Sequence, residues 1–134
     1  MNPETLALLI VDDDPVFSLF LQQLVLSLEK QLPCRIRCAE SAEAGFEEIR
    51  NHRFDLALMD YHLPAASGLD LLTQIRALPL AQQPAVIMLT GSGNEAVAVE
   101  AMKRGAKDYL LKNQVDVPSL MRAIQGALAQ KRLA

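Results

Sequence analysis

Short apolar runs recur along this chain, and each stops abruptly at a polar residue. Leu6-Ala7-Leu8-Leu9-Ile10-Val11 stops at Asp12-Asp13-Asp14, and Leu56-Ala57-Leu58-Met59 stops at Asp60. Val86-Ile87-Met88-Leu89 stops at Thr90, and Tyr109-Leu110-Leu111 stops at Lys112. Continuous apolar runs of this length, without alternation, are the pattern of strands buried on both faces. They predict strands over about 6–11, 55–59, 85–89 and 108–111, with a further one at about 34–39.

Between the runs the period changes to that of a helix. Phe17, Phe20, Leu21, Leu24 and Leu28 form an apolar stripe that predicts a helix over about 15–31. Asp14 is placed to cap it and Pro15 to occupy its first turn. Ala42, Phe46 and Ile49 mark a second helix over about 42–51, and a third is expected over about 69–77, after a loop containing Pro64 and Gly68. Gly91-Ser92-Gly93-Asn94 breaks the chain and caps a fourth that ends at Gly105; a fifth runs from near Pro118 to the end. Five strands alternating with five helices imply one α/β domain over residues 1–134, a parallel sheet covered by helices on both faces. Periodicity leaves the strand order open.

Composition narrows the class. The chain has 134 residues, 51% of them hydrophobic, which is enough for a real core and excludes a disordered chain. A net charge of −3 argues against a surface for direct nucleic-acid binding. No apolar run approaches the roughly 18 residues of a membrane span. The first run is cut by acids and lacks a basic lead, so it reads as a strand and not a secretion signal, giving a cytoplasmic expectation. Cys34 and Cys38 share one strand, about 13 Å apart, beyond the roughly 7 Å that a disulfide tolerates. With no second Cys/His pair, packing is the expected role for both.

The strand ends carry the chemistry. If the strands are parallel neighbours, Asp12, Asp13, Asp60, Thr90 and Lys112 all reach the carboxyl edge of one sheet, where ligand crevices of open α/β sheets lie. Clustered carboxylates repel unless a cation joins them, and hard oxygen ligands suit Mg²⁺ or Mn²⁺. A carboxylate can act as a nucleophile toward phosphorus. Asp60 stands alone after its strand and is the candidate acceptor. Asp12 and Asp13 would hold the metal, with Asp60 sharing it. Lys112 adds positive charge, and Thr90 can donate a hydrogen bond to a phosphoryl oxygen.

This set resembles the response-regulator receiver domains of two-component signalling, over essentially the whole chain. Asp12-Asp13 is similar to that family's acidic pair, Asp60 to its phospho-acceptor, and Lys112 to its lysine. Thr90 and Tyr109 are similar to its switch residues, and the Asp60–Pro64–Gly68 spacing to its acceptor loop. The resemblance implies a flavodoxin-like (βα)5 fold of strand order 2-1-3-4-5, and the backbone carbonyl of His62 as a further Mg²⁺ ligand. It implies phosphorylation of Asp60 by the phosphohistidine of a sensor histidine kinase or histidine phosphotransfer protein. It also implies a switch that alters binding to an output domain or target protein. Such a domain is no enzyme toward other substrates; it catalyses only its own phosphorylation and dephosphorylation. A homodimer through helix four, strand five and helix five is left open. With no room for an output domain, the chain reads as a stand-alone receiver or one cut from a longer regulator. Asn113, where the family pattern has proline after the lysine, is a departure, for which a trans bond is expected. Ser67, where an acid is common, is a lesser one.

Three other readings explain less. Asp12-Asp13-Asp14-Pro15-Val16 fits the nucleophile loop of haloacid-dehalogenase-like phosphatases, but Asp116 stands alone where that family has an acidic pair, and Asp60 is left without a role. A flavodoxin-like electron carrier would not meet its flavin phosphate with three acids. A receiver-like module that has lost phosphorylation would not keep the full residue set. His62 is expected to face solvent through its ring, His52 needs no function, and the Lys103-Arg104-Lys107 cluster reads as a solvated helix end, with an interaction face on helix four as the alternative.

Overall fold

β1, Leu6–Val11, lies at the interior of the sheet, between β2, Cys34–Ala39, and β3, Leu56–Asp60. β4, Ala85–Thr90, and β5, Asp108–Leu111, complete the order β2-β1-β3-β4-β5, every pairing parallel. The computed structural model describes residues 5–91 and 95–133 of the chain. The strand order is the one implied by the family resemblance.

Side chains along the central strands alternate between two cores, as a period of two demands. Leu9, Val11, Ala57, Met59, Val86 and Met88 face one side. There they pack on α2, Ala42–Asn51, α3, Gly68–Arg76, and α4, Glu95–Lys103. Leu8, Ile10, Leu56, Leu58, Ile87 and Leu89 face the other, against α1, Pro15–Leu26, and α5, Val117–Leu133. This explains why the strands read as unbroken apolar runs: neither face meets water.

The helix ends follow local chemistry. Asp14 caps α1, its Oδ1 accepting from the amides of Val16 and Phe17, with Pro15 in the first turn. Asp116 and Ser119 cap α5 reciprocally. α4 ends in a Schellman motif, with Gly105 at φ 107° and the amides of Gly105 and Ala106 donating to Met102 and Ala101 carbonyls. The Ser92–Asn94 part of the expected α4 cap lies outside the described residues.

Three expectations are corrected. α1 ends at Leu26, not near residue 31, because the amides of Leu28 and Glu29 bond three residues back and the coil tightens into turns. Within its stripe, Leu21 and Leu28 are buried, and Phe17 and Leu24 pack partly, but Phe20 is 40% exposed. Val25 and Ser18 take the inner face instead, and Phe20 flanks it, its ring 5.8 Å from that of Phe17. Asp60 and Thr90 are the last residues of their strands and not the first beyond them.

Candidate functional site

At the carboxyl edge four of the five strands, β1, β3, β4 and β5, each deliver a polar side chain. Asp12 follows β1 and extends the ladder, its amide donating to the Ala39 carbonyl at 3.0 Å. Its Oδ1 accepts from the Asp14 amide at 2.8 Å, which fixes the carboxylate over the sheet edge. Asp12 and Asp60 are 3% and 4% exposed, whereas Asp13 is open to solvent. One carboxylate oxygen from each of Asp12, Asp13 and Asp60 lies within 4.8 Å of the others. That spacing lets one cation with oxygen contacts of about 2.0–2.6 Å touch all three.

Lys112 follows β5, its amide continuing the ladder to the Thr90 carbonyl at 2.8 Å. Its Nζ stands 2.8 Å from Asp12 Oδ2 and 3.2 Å from Asp60 Oδ2, and 4.5 Å from the centre of the Phe17 ring. Asp12 Oδ2 is sealed from solvent, and this ammonium at 2.8 Å is its close partner among the described residues. Three grouped carboxylates share this one ammonium, and a hard cation would relieve the repulsion that remains. The donor set therefore fits Mg²⁺ or Mn²⁺. The Lys112–Asn113 peptide is trans, as expected, and the side chain still points into the site.

The charges shift one another. Burial raises the Asp60 pKa above its ordinary value, and the Asp12 charge adds to this; the His62 amide and Lys112 oppose both. Burial alone would lower Lys112, but contact with Asp12 and the charges of both acids outweigh it and raise the pKa. The site holds an excess of negative charge with one ammonium to balance it.

The loop after Asp60 is built tightly. The His62 amide donates to Asp60 Oδ1 at 3.1 Å, and the Gly68 amide to the Tyr61 carbonyl at 2.8 Å. A Cβ at Gly68 would come within 2.5 Å of the Asp60 carbonyl oxygen, so only glycine lets α3 start this close to the acceptor strand. Between them, the Ala66 amide bonds to the Pro64 carbonyl around Ala65, whose φ is 67°. Ser67 caps α3 in a capping box with Asp70, which gives that departure from the family pattern a local role. The His62 ring is exposed, edge-on to Tyr61 at 4.7 Å and outside the acid group, as a solvent-facing loop histidine.

Thr90 is fully buried, one position beyond Leu89, the register partner of Asp60. Tyr109 is half-buried, opposite Met88 on the neighbouring strand, and packs on the α2/α3/α4 core. Asp12, Asp13, Asp60, Thr90, Tyr109 and Lys112 thus lie on the carboxyl edge or on the strands leading to it. Phe17 was legible only as part of a core stripe. Its position in the helical turn right after the acidic run was the available signal.

Comparisons with known proteins agree with this geometry. A sequence model described as the response regulator receiver domain matches residues 8–125. The chain belongs to that family, the receiver domains of two-component response regulators. It is 33% identical to the transcriptional regulatory protein ZraR of Escherichia coli K12 over 96% of its own length and 28% of the relative's. It is 39% identical to the acid tolerance regulatory protein ActR of Rhizobium meliloti over 79% of its length and 52% of the relative's. The chain thus spans about a quarter to a half of these two relatives. Among solved structures, a response regulator receiver domain protein from Clostridium thermocellum superposes with a TM-score of 0.77 at 33% identity, covering 96% of this chain and 98% of that one. A CheY-like receiver domain protein from Methanospirillum hungatei gives 0.78 at 29%, covering 96% and 97%.

Proposed function

We propose that this domain takes a phosphoryl group from the phosphohistidine of a histidine kinase or histidine phosphotransfer protein onto Asp60. The observation that carries this reading is Asp60 itself: buried at the end of β3, beside Lys112 Nζ at 3.2 Å and grouped with Asp12 and Asp13. An Asp60 carboxylate oxygen attacks phosphorus, forming a P–O bond. The P–N bond to the donor imidazole breaks, and its electron pair returns to that nitrogen. Lys112 compensates negative charge on the transferred group, and Thr90 donates a hydrogen bond to one of its oxygens. Asp12, Asp13, Asp60 and the His62 carbonyl are the proposed ligands of Mg²⁺ or Mn²⁺, which when bound supplies the positive charge that phosphoryl oxygens require.

The same reading gives Thr90 and Tyr109 a switching role that changes the surface of α4, β5 and α5. The output domain or target protein, and a homodimer, would be recognised there. It places the domain in the cytoplasm; no helix among the described residues is long and apolar enough to cross a membrane. The test is incubation with phosphoramidate and Mg²⁺, followed by intact-mass measurement. One acid-labile phosphoryl group should appear, and none on Asp60→Asn. Unchanged incorporation in that variant would overturn the assignment.

A further inference from the structure

At the opposite, amino edge of the sheet, a cavity of about 410 Å³ opens below the start of β4. Its volume falls within the range of small-molecule sites, about 300–1,000 Å³. Leu72, Ile75, Ala85 and Val86, all buried, form its apolar walls. Leu80, 67% exposed, stands at the rim, an apolar side chain left largely in water. Two cations, Arg76 and Lys107, also line the cavity, and no acidic residue does.

Neither cation is spent elsewhere. Among the described residues, neither pairs with a carboxylate. Arg76 is not needed to cap α3 either, because the Gln83 side-chain amide already donates to the carbonyls of Arg76 at 3.2 Å and Leu78 at 2.7 Å. The Arg76 side chain packs against Gly105, where any Cβ would strike the guanidinium. Gly105 has a φ of 107°, so the Schellman turn ending α4 also makes the space that seats the arginine. An apolar pocket with a seated guanidinium and a nearby ammonium is charge-complementary to an anion with a hydrophobic body. A guanidinium fork matches a planar carboxylate best. A cavity of about 150 Å³ suffices for benzene, so this one takes a ring and a short acidic tail.

We propose that this cavity binds a small organic carboxylate with an aromatic or branched aliphatic body, with Arg76 and Lys107 holding the carboxylate. The site is separate from the phosphoryl-transfer reading and stands or falls without it. The test is a titration of the full ¹⁵N-labelled chain with 4-phenylbutyrate and, in parallel, with its neutral amide. Amide signals of Leu80, Val86, Gly105 and Lys107 should shift saturably with the acid, in the low-millimolar range or tighter. The neutral amide should bind about tenfold more weakly, as should Arg76→Gln and Lys107→Gln with the acid. Thermal melts verify each variant's fold, and Lys107→Gln alone decides the matter if Arg76→Gln is destabilised. Shifts that do not saturate, equal binding of acid and amide, or parental affinity in the folded variants would each overturn the proposal.

Discussion

The ammonium of Lys112 is held against the face of Phe17, 4.5 Å from the ring centre, as well as between Asp12 and Asp60. The ring comes from the first turn of α1, which Asp14 and Pro15 start immediately after the acidic run. Phe17 therefore adds a third contact to the Lys112 ammonium beside the two carboxylates. With Asn113 in place of the family's proline, this contact helps aim the lysine.

Phe17→Leu should slow phosphorylation by phosphoramidate about threefold to tenfold, the rate equivalent of about 0.7–1.4 kcal/mol of cation–π attraction. Phe17→Tyr should retain the parental rate. Because Leu keeps most of the packing, Mg²⁺ affinity should stay unchanged in both. A single-turnover rate beside a metal titration separates the positioning role from a general loosening of the site.

Mg²⁺ should stabilise the fold by linkage. At ten times its dissociation constant an ion bound only by the native state adds about 1.4 kcal/mol, which for a domain of this size raises Tm by about 3–6 °C. Asp13→Ala should remove the increment. A melt series with and without the ion checks this, and an undiminished shift in the variant would move the metal elsewhere.

The Asp60 carboxylate is destabilised by burial and by Asp12, so its folded pKa lies above its ordinary value of 3.8. The native state then binds this proton more tightly than the unfolded chain. Its contribution is most favourable at low pH and is lost as pH rises through the folded value. Asp60→Asn should therefore melt higher than the parent at neutral pH without metal, since Asn keeps an oxygen for the His62 amide. The difference should shrink on acidification and vanish below about pH 3.8. Equal melting temperatures at pH 7 would contradict the origin assigned to the shift.

Gly68→Ala should destabilise the domain by about 1–3 kcal/mol, because the added methyl has no room beside the Asp60 carbonyl. Chemical denaturation measures this directly. Ala65→Gly, in the same loop at a position of φ 67°, should have the opposite sign, because glycine adopts that backbone conformation without strain.

Phosphoryl mimicry should reach past the acids. In the proposed reading Thr90 and Tyr109 would link the site to the face of α4 and β5, and a few kcal/mol of differential contact suffices to shift two packings. Beryllofluoride with Mg²⁺ should move amide signals along α4 and β5. Shifts confined to residues beside the ion would show an uncoupled site.

Most of this architecture was legible because the strands are buried on both faces and stop at charged or polar residues. Asp12, Asp60, Thr90 and Lys112 could be placed at one edge from the chain's pattern alone. The strand order could not, since a period of two carries no information about neighbours; it came from the family resemblance and the structure. The end of α1 was misjudged because no glycine or proline marks Leu26. The tightening there lies in the backbone, in amides bonding three residues back. Phe20 was misplaced because a stripe read in steps of three and four does not reveal its own flank. The contact between Phe17 and Lys112 joins residues far apart in sequence, and only the fold brings them together.

The sheet is also graded in rigidity. β3 and β4 are buried along their whole length and are hydrogen-bonded to strands on both sides. β5 is four residues long, half-buried throughout and paired with β4 alone. Local opening costs least where burial is shallow and one ladder is missing. Asp60 and Thr90 thus sit on fully buried inner strands, while Tyr109 lies on an edge strand and Lys112 just beyond its end, where amide exchange should be faster. Geometry is kept at the centre, and movement is cheapest at the rim.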